Sequence, residues 1–261
     1  MSDSRLHHRR FFVPGERIRE GWVEFTSAQA HQLTEVLRLR PGDQVSVFDG
    51  TGREIIAILA AAMRRRATAR ILGEAPALAS PRLAVTLAQV VPRGAAMDLI
   101  VAKATELGVA RIVPLEGERS VRRTSARAPR WLRIAQEAAE QCGRKDVPEV
   151  AAACTVVDFL HGHGRDTPLV ACEAGEGSRP LPAVCQELQG PATLTLLVGG
   201  EGGLSPGEME RLRSLGAHLG SLGPRLLRTD TAALAALAVI QACLGDWEVR
   251  PGGETDGRSV S

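Results

Sequence analysis

The chain has 261 residues, 44% of them hydrophobic, which is enough for one large core or two smaller ones. Charged residues make up 24% and the net charge is +2, which excludes a polycation and fits an ordinary globular protein. No run of eighteen apolar residues occurs and the first twelve residues lack the apolar core of a secretory signal, so neither a membrane span nor export is expected. The five cysteines are odd in number, scattered and free of any CxxC pair, and read as reduced thiols of a cytoplasmic protein.

Residues 1–75 read as a small β-rich domain. A basic and aromatic cluster comes first, His7-His8-Arg9-Arg10-Phe11-Phe12, and residues 21–25 then alternate like a strand. A short helix is expected over 27–37, capped by Thr26 or Ser27. A turn at 38–43 leads into a strand over 44–49. Asp49-Gly50 and Thr51-Gly52 signal a hairpin before strands at 54–59 and 67–72. Short strands, glycine turns and one helix point to a small barrel with few large apolar residues, so Phe11 and Phe12 are assigned to its core.

Residues 76–82, rich in alanine and proline, read as a linker, and a second domain is expected over 83–249. A strand over 83–91, a helix over 97–107 ending at Gly108 and a strand over 109–115 argue for a parallel α/β sheet. The next loop carries Arg119, Arg122, Arg123 and Arg127 at the carboxyl end of a strand, where open α/β sheets hold their sites, and reads as a phosphate-gripping loop. A helix follows over 129–142, with Arg144 just beyond it. Residues 154–160 and 168–172 read as strand and loop material. His161 and His163 have no third ligand nearby at suitable spacing, so no metal is expected. Residues 250–261 are glycine-rich and polar and read as a disordered tail.

Residues 193–231 carry the strongest signal. An apolar run, 194–198, leads into Gly199-Gly200-Glu201-Gly202-Gly203. Ser205 and Glu208 then have capping-box spacing, with Pro206 at the first helical position. Strand, glycine loop and capped helix in succession describe a ligand-binding βα turn. No Gly-Lys-Ser/Thr follows, so the loop is not a Walker motif, and the spacing is wrong for GxGxxG. Glu201 sets a negative charge where a phosphate site needs bare amides, and better suits a hydroxyl, an amine or a cationic centre. A second glycine-marked loop, Leu222-Gly223-Pro224-Arg225-Leu226-Leu227-Arg228, opens an alanine-rich helix with Thr229 or Asp230 as its cap.

VGGEGGLSPGE followed by LGPRLLRTDTA resembles the carboxy-terminal signature of SPOUT-class RNA methyltransferases. Within that class it is similar to the bacterial family that methylates N3 of a uridine in 16S ribosomal RNA. That family usually reads GPEGG and ILRTETA; here Gly200, Leu226 and Asp230 replace proline, isoleucine and glutamate. KATELGVARIVPL extends the likeness, and RRFFV and HQLTEVLRLRPGDQVSVFDG carry it into the amino-terminal domain.

The resemblance implies a PUA-like barrel ahead of a trefoil-knotted parallel-sheet domain, a homodimer through the knot, and 16S ribosomal RNA within the small subunit as partner. It implies S-adenosylmethionine held by Glu173, by Val198, Gly199, Gly200, Glu201, Gly202 and Gly203, and by Leu222, Gly223, Leu226, Leu227 and Thr229. Arg9, Arg10, Arg38, Arg40, Arg119, Arg122, Arg123 and Arg144 would face the RNA. Arg228 would stabilise the uracil anion or a nearby phosphate, while Asp230 or Glu201 would accept the proton. Alternatively Asp230 is a helix cap with Arg228 as its partner. A SPOUT ribose 2′-O-methyltransferase and a non-catalytic RNA-binding assembly factor are the competing functional readings.

Overall fold

Alternation along the amino-terminal strands sends every second side chain into one core, as Ile55, Ala57 and Leu59 show. In the computed structural model, which describes residues 9–76, 81–120, 127–173, 175 and 177–247, these strands are β1 (Arg10–Phe12), β2 (Ile18–Arg19), β3 (Trp22–Glu24), β4 (Gln44–Phe48), β5 (Glu54–Met63) and β6 (Arg66–Glu74). They form one sheet in the order β1-β4-β5-β6-β3-β2. Among the described residues no ladder joins β2 back to β1, so the sheet covers its core without closing through hydrogen bonds. Helix α1 (Ser27–His31) runs into a π-turn over Gln32–Val36 and buries Ala30 and Leu33. Thr26 caps α1 in a capping box with Gln29. Phe11 is fully buried, edge-on to Phe25 at 5.6 Å, whereas Phe12 is half-buried against Phe48.

The second sheet is parallel throughout. It comprises β7 (Ala84–Val90), β8 (Arg111–Glu116), β9 (Glu149–Val150), β10 (Cys154–Thr155), β11 (Leu169–Cys172), β12 (Arg179–Pro180), β13 (Thr193–Val198) and β14 (His218–Ser221). The order is β10-β8-β7-β13-β11-β14-β12, with β9 also on β8. Near-continuous apolar runs in β7 and β13 reflect burial on both faces. Helices α2 (Ala96–Glu106), α3 (Ala128–Cys142), α5 (Leu181–Glu187) and α7 (Thr229–Leu244) share one core, while α4 (Val156–Gly162) and α6 (Pro206–Ser214) pack against the other face. Two helices depart from the sequence reading. Residues 154–160 are mostly α4, because Thr155 caps the amide of Asp158, and α5 was not foreseen.

A polar seam joins the two sheets. Arg10 is buried: its Nε bonds Glu54 at 2.8 Å, and its other nitrogens donate to the carbonyls of Ala139 and Arg144. Glu140 accepts the Phe12 amide at 2.6 Å, and Lys145 pairs with Glu54 at 3.4 Å. The Arg144 side chain donates to the carbonyls of Thr105 and Val109 and pairs with Asp146. Arg10 and Arg144 are therefore corrections to the expected RNA-facing set. Each closes the carbonyl-rich end of a helix, Arg10 that of α3 from the neighbouring unit and Arg144 that of α2 within its own, the place where helices leave unpaired acceptors.

Candidate active site

β7, β13, β11 and β14 lie side by side, so the loops from their carboxyl ends meet over one edge of the sheet. There they enclose a cavity of about 580 Å³. One wall is the loop after β13. Gly203 has φ +64°, in the left-handed region, and turns the chain into α6. Ser205 and Glu208 close the foreseen capping box around Pro206. Glu208 is buried, and its Oε1 also accepts the Glu118 amide at 3.0 Å, which fastens the loop after β8 to this one. Arg119 reinforces the link, its Nη1 donating to the carbonyls of Gly202 and Leu204 at 3.3 and 3.4 Å.

Glu173 extends from the end of β11 into the same wall. A Cβ on Gly199 would stand 3.1 Å from its Oε2, and one on Gly203 the same distance from Oε1. The carboxylate thus packs tightly against both glycines, and at Gly203 the left-handed turn favours glycine as well. Burial raises the Glu173 carboxyl above its ordinary value, against the opposing charge of Arg119. The neighbouring Cys172 thiol is pushed up to about 11, by burial first and the Glu173 charge second. It is a protonated wall group at neutral pH, not a nucleophile.

The opposite wall is the loop 222–228 and the start of α7. Arg228 is the residue preceding α7 and has an extended backbone, and its side chain caps nothing. Thr229 instead turns its hydroxyl back to the Gly199 carbonyl, and Asp230 Oδ1 accepts the Thr231 amide at 2.8 Å. Neither residue caps α7 as expected, and among the described residues Arg228 and Asp230 form no ion pair. Leu226 is 97% exposed, an apolar side chain that no described residue covers.

Of the residues expected to hold the cofactor, Glu173, Val198, Gly199, Gly200, Glu201, Gly203, Leu222, Gly223, Leu226, Leu227 and Thr229 line this cavity. Arg228 and Asp230 line it too. Gly202 does not: its absent Cβ faces Arg119 at 3.1 Å, so its lack of a side chain admits the arginine-bearing loop. Glu201 Oε1 accepts the Arg93 amide at 2.9 Å and latches the loop after β7 to the glycine loop. Arg93, Ala96 and Arg225 also line the cavity and were missed. Arg93 follows the carboxyl end of β7 and was open to the same positional rule that singled out Arg119. Arg9, Arg38 and Arg40 are half-buried to exposed on the first sheet's unit, Arg9 pairing with Asp43 at 3.3 Å. Arg122 and Arg123 lie outside the described residues. Among the described residues, no group of three metal-ligating side chains occurs and no helix is long and apolar enough to cross a membrane.

Residues 79–241 match the family described as RNA methyltransferase domain, and residues 25–72 the RNA methyltransferase PUA domain. The chain is 37% identical over 240 residues to the Synechocystis protein named ribosomal RNA small subunit methyltransferase E, covering 90% of this chain and 78% of that one. A crystal structure of ribosomal RNA small subunit methyltransferase E from Neisseria gonorrhoeae bound to S-adenosyl methionine superposes with a TM-score of 0.82 at 32% identity, covering 92% of this chain and 99% of that one. A protein from Legionella pneumophila solved in complex with the cofactor SAM superposes at 0.80 with 31% identity, covering 91% and 98%.

Proposed function

The chain belongs to the ribosomal RNA small subunit methyltransferase E family, and on that premise we propose that its cavity binds S-adenosylmethionine and that it methylates N3 of a uridine in small-subunit ribosomal RNA. The observation that carries this reading is the convergence of three glycine- and leucine-rich loops with Glu173 on one cavity at the carboxyl edge of the sheet. The residues fit the ligand. About 580 Å³ is within the ~300–1,000 Å³ range of small-molecule sites. Glu173 offers negative charge to a cationic cofactor, and the glycines leave backbone groups open to its polar edges.

The cofactor supplies a methyl group carried on a sulfonium. The protein's part is to place uracil N3 in line with that methyl group, to stabilise the ring as N3 loses its proton, and to receive the proton. Arg93, Arg225 and Arg228 line the cavity, all exposed, and among the described residues none is paired with a carboxylate. The cofactor carries one carboxylate beside its sulfonium and amino groups, so three arginines exceed its need and extend to an anionic substrate: the uracil oxygens or the adjoining phosphates. Glu201 and Asp230 each hold one carboxylate oxygen in a bond to a backbone amide and leave the other bonded to no described group; Asp230 adjoins Arg228 at the start of α7 and receives the proton in the proposed reaction.

The finer elements of the reading are a trefoil knot, a homodimer formed through it, action within the small ribosomal subunit, and a cytoplasmic location. So is the division into a PUA-like unit over 1–75 and a methyltransferase unit over 83–249. Arg9, Arg38, Arg40, Arg119, Arg122 and Arg123 form its RNA-facing set. Incubating the purified chain with S-adenosylmethionine and small-subunit ribosomal RNA, then digesting to nucleosides, tests the reaction. The product is 3-methyluridine; a methyl group found on ribose instead overturns the base assignment.

A further inference from the structure

Gln89 is fully buried at the carboxyl end of β7, yet it carries a primary amide. Its Nε2 donates to the Val90 carbonyl at 2.8 Å and also faces Thr229 Oγ1 at 3.3 Å and the Val198 carbonyl at 3.5 Å. Thr229 passes the interaction on, its hydroxyl donating to the Gly199 carbonyl. One amide therefore touches three elements that border the cavity: β7, the end of β13 where the glycine loop begins, and the first residue of α7. Gln89 does not itself line the cavity.

The other end of the amide sharpens the point. Gln89 Oε1 is buried with no hydrogen-bond partner. An orphaned buried acceptor is unfavourable, and an apolar side chain of the same length would not create one. Fold stability alone gives no reason for glutamine here; the grip of Nε2 on three neighbours does. We infer that Gln89 is a positioning residue, which fixes the spacing between the glycine loop and the start of α7, the opposed walls of the cofactor cavity. The inference rests on the cofactor reading above.

Calorimetric titration of S-adenosylmethionine into the full chain tests it, with thermal unfolding and filter binding of small-subunit ribosomal RNA measured alongside. Gln89→Met keeps the length and removes the donor. It weakens cofactor affinity by about tenfold, the ~1.4 kcal/mol of one modest hydrogen-bond link, with the unfolding midpoint not lowered and RNA affinity unchanged. Thr229→Val removes the hydroxyl that Gln89 reaches, and the double variant is no weaker than the worse single one, because both changes cut one chain. If Gln89→Met fails to fold, Gln89→Asn, which withdraws the amide by one methylene, is read in the same way. Wild-type cofactor affinity in the variant, equal losses for cofactor and RNA, or multiplying effects in the double variant overturn the role of Gln89. A wild-type chain that binds no S-adenosylmethionine overturns the cofactor reading itself, and this inference with it.

Discussion

Glu173 shows how one side chain ties loop shape to ligand charge. Its carboxylate fills the space that side chains on Gly199 and Gly203 would need, and burial raises its protonation point above the ordinary carboxylate value near 4.5. The sign follows directly. Protonated Glu173 is neutral and gives a cationic cofactor no attraction, so S-adenosylmethionine affinity rises with pH from about 4.5 upward and levels off once the group is ionised. Calorimetry across that window checks this, and in Glu173→Gln the slope flattens; an unaltered slope contradicts the assignment. The glycine pattern was legible in the residues themselves, and Glu173 only through the family resemblance. What was not legible is the internal use of groups that look free on paper. Thr229 faces Gly199, Glu201 holds the Arg93 amide and Gly202 makes room for Arg119. Each of these contacts joins residues at least 30 positions apart, and single-sequence spacing carries no information on such pairs.

At the scale of elements, the sequence was most informative where capping chemistry is local. The Ser205–Glu208 box formed as read, and so did the glycine end of α2, with Gly108 at positive φ. It was least informative for short elements. The two turns of α4 follow a two-residue strand, and the strand β14 has only four residues, too few for a period to register. Glu208 also does more than its motif implies, since it bonds the Ser205 and Glu118 amides together. Ser205→Ala therefore costs about 1 kcal/mol in urea unfolding, the usual loss of an N-cap. Glu208→Ala strands two donors and costs roughly 2–3 kcal/mol. Equal losses for the two variants would mean that Glu208 does not hold the loop after β8.

At the scale of the molecule, the sheet order places β13, late in the chain, between β7 and β11, and that order brings the two glycine-marked loops together. Composition and periodicity are silent on strand order, so the convergence of the loops was expected only from family resemblance. The seam between the two sheets was misread for a related reason: Arg10 sits in an exposed-looking basic cluster but is buried against α3. Arg10→Met leaves Glu54 buried without its main partner and costs about 3 kcal/mol or more, measurable in urea. Burial works to raise Glu54 and Asp146, but bonds and charges from Ser46, Arg10 and Lys145 on the first, and from Arg144 on the second, hold both below their ordinary values of 4.5 and 3.8. Their stabilisation is present above those values and is lost as pH falls through the lowered ones, so the seam weakens in acid below about pH 4.5. Glu140, raised chiefly by burial, works in the opposite sense. The central claim, that this molecule methylates a small-subunit uridine at N3, is tested most directly by nucleoside mass spectrometry of ribosomal RNA from cells with and without its gene. The account predicts that 3-methyluridine disappears from the small-subunit RNA and returns with the wild-type chain but not with Asp230→Ala; an unchanged 3-methyluridine signal in cells lacking the gene would contradict it.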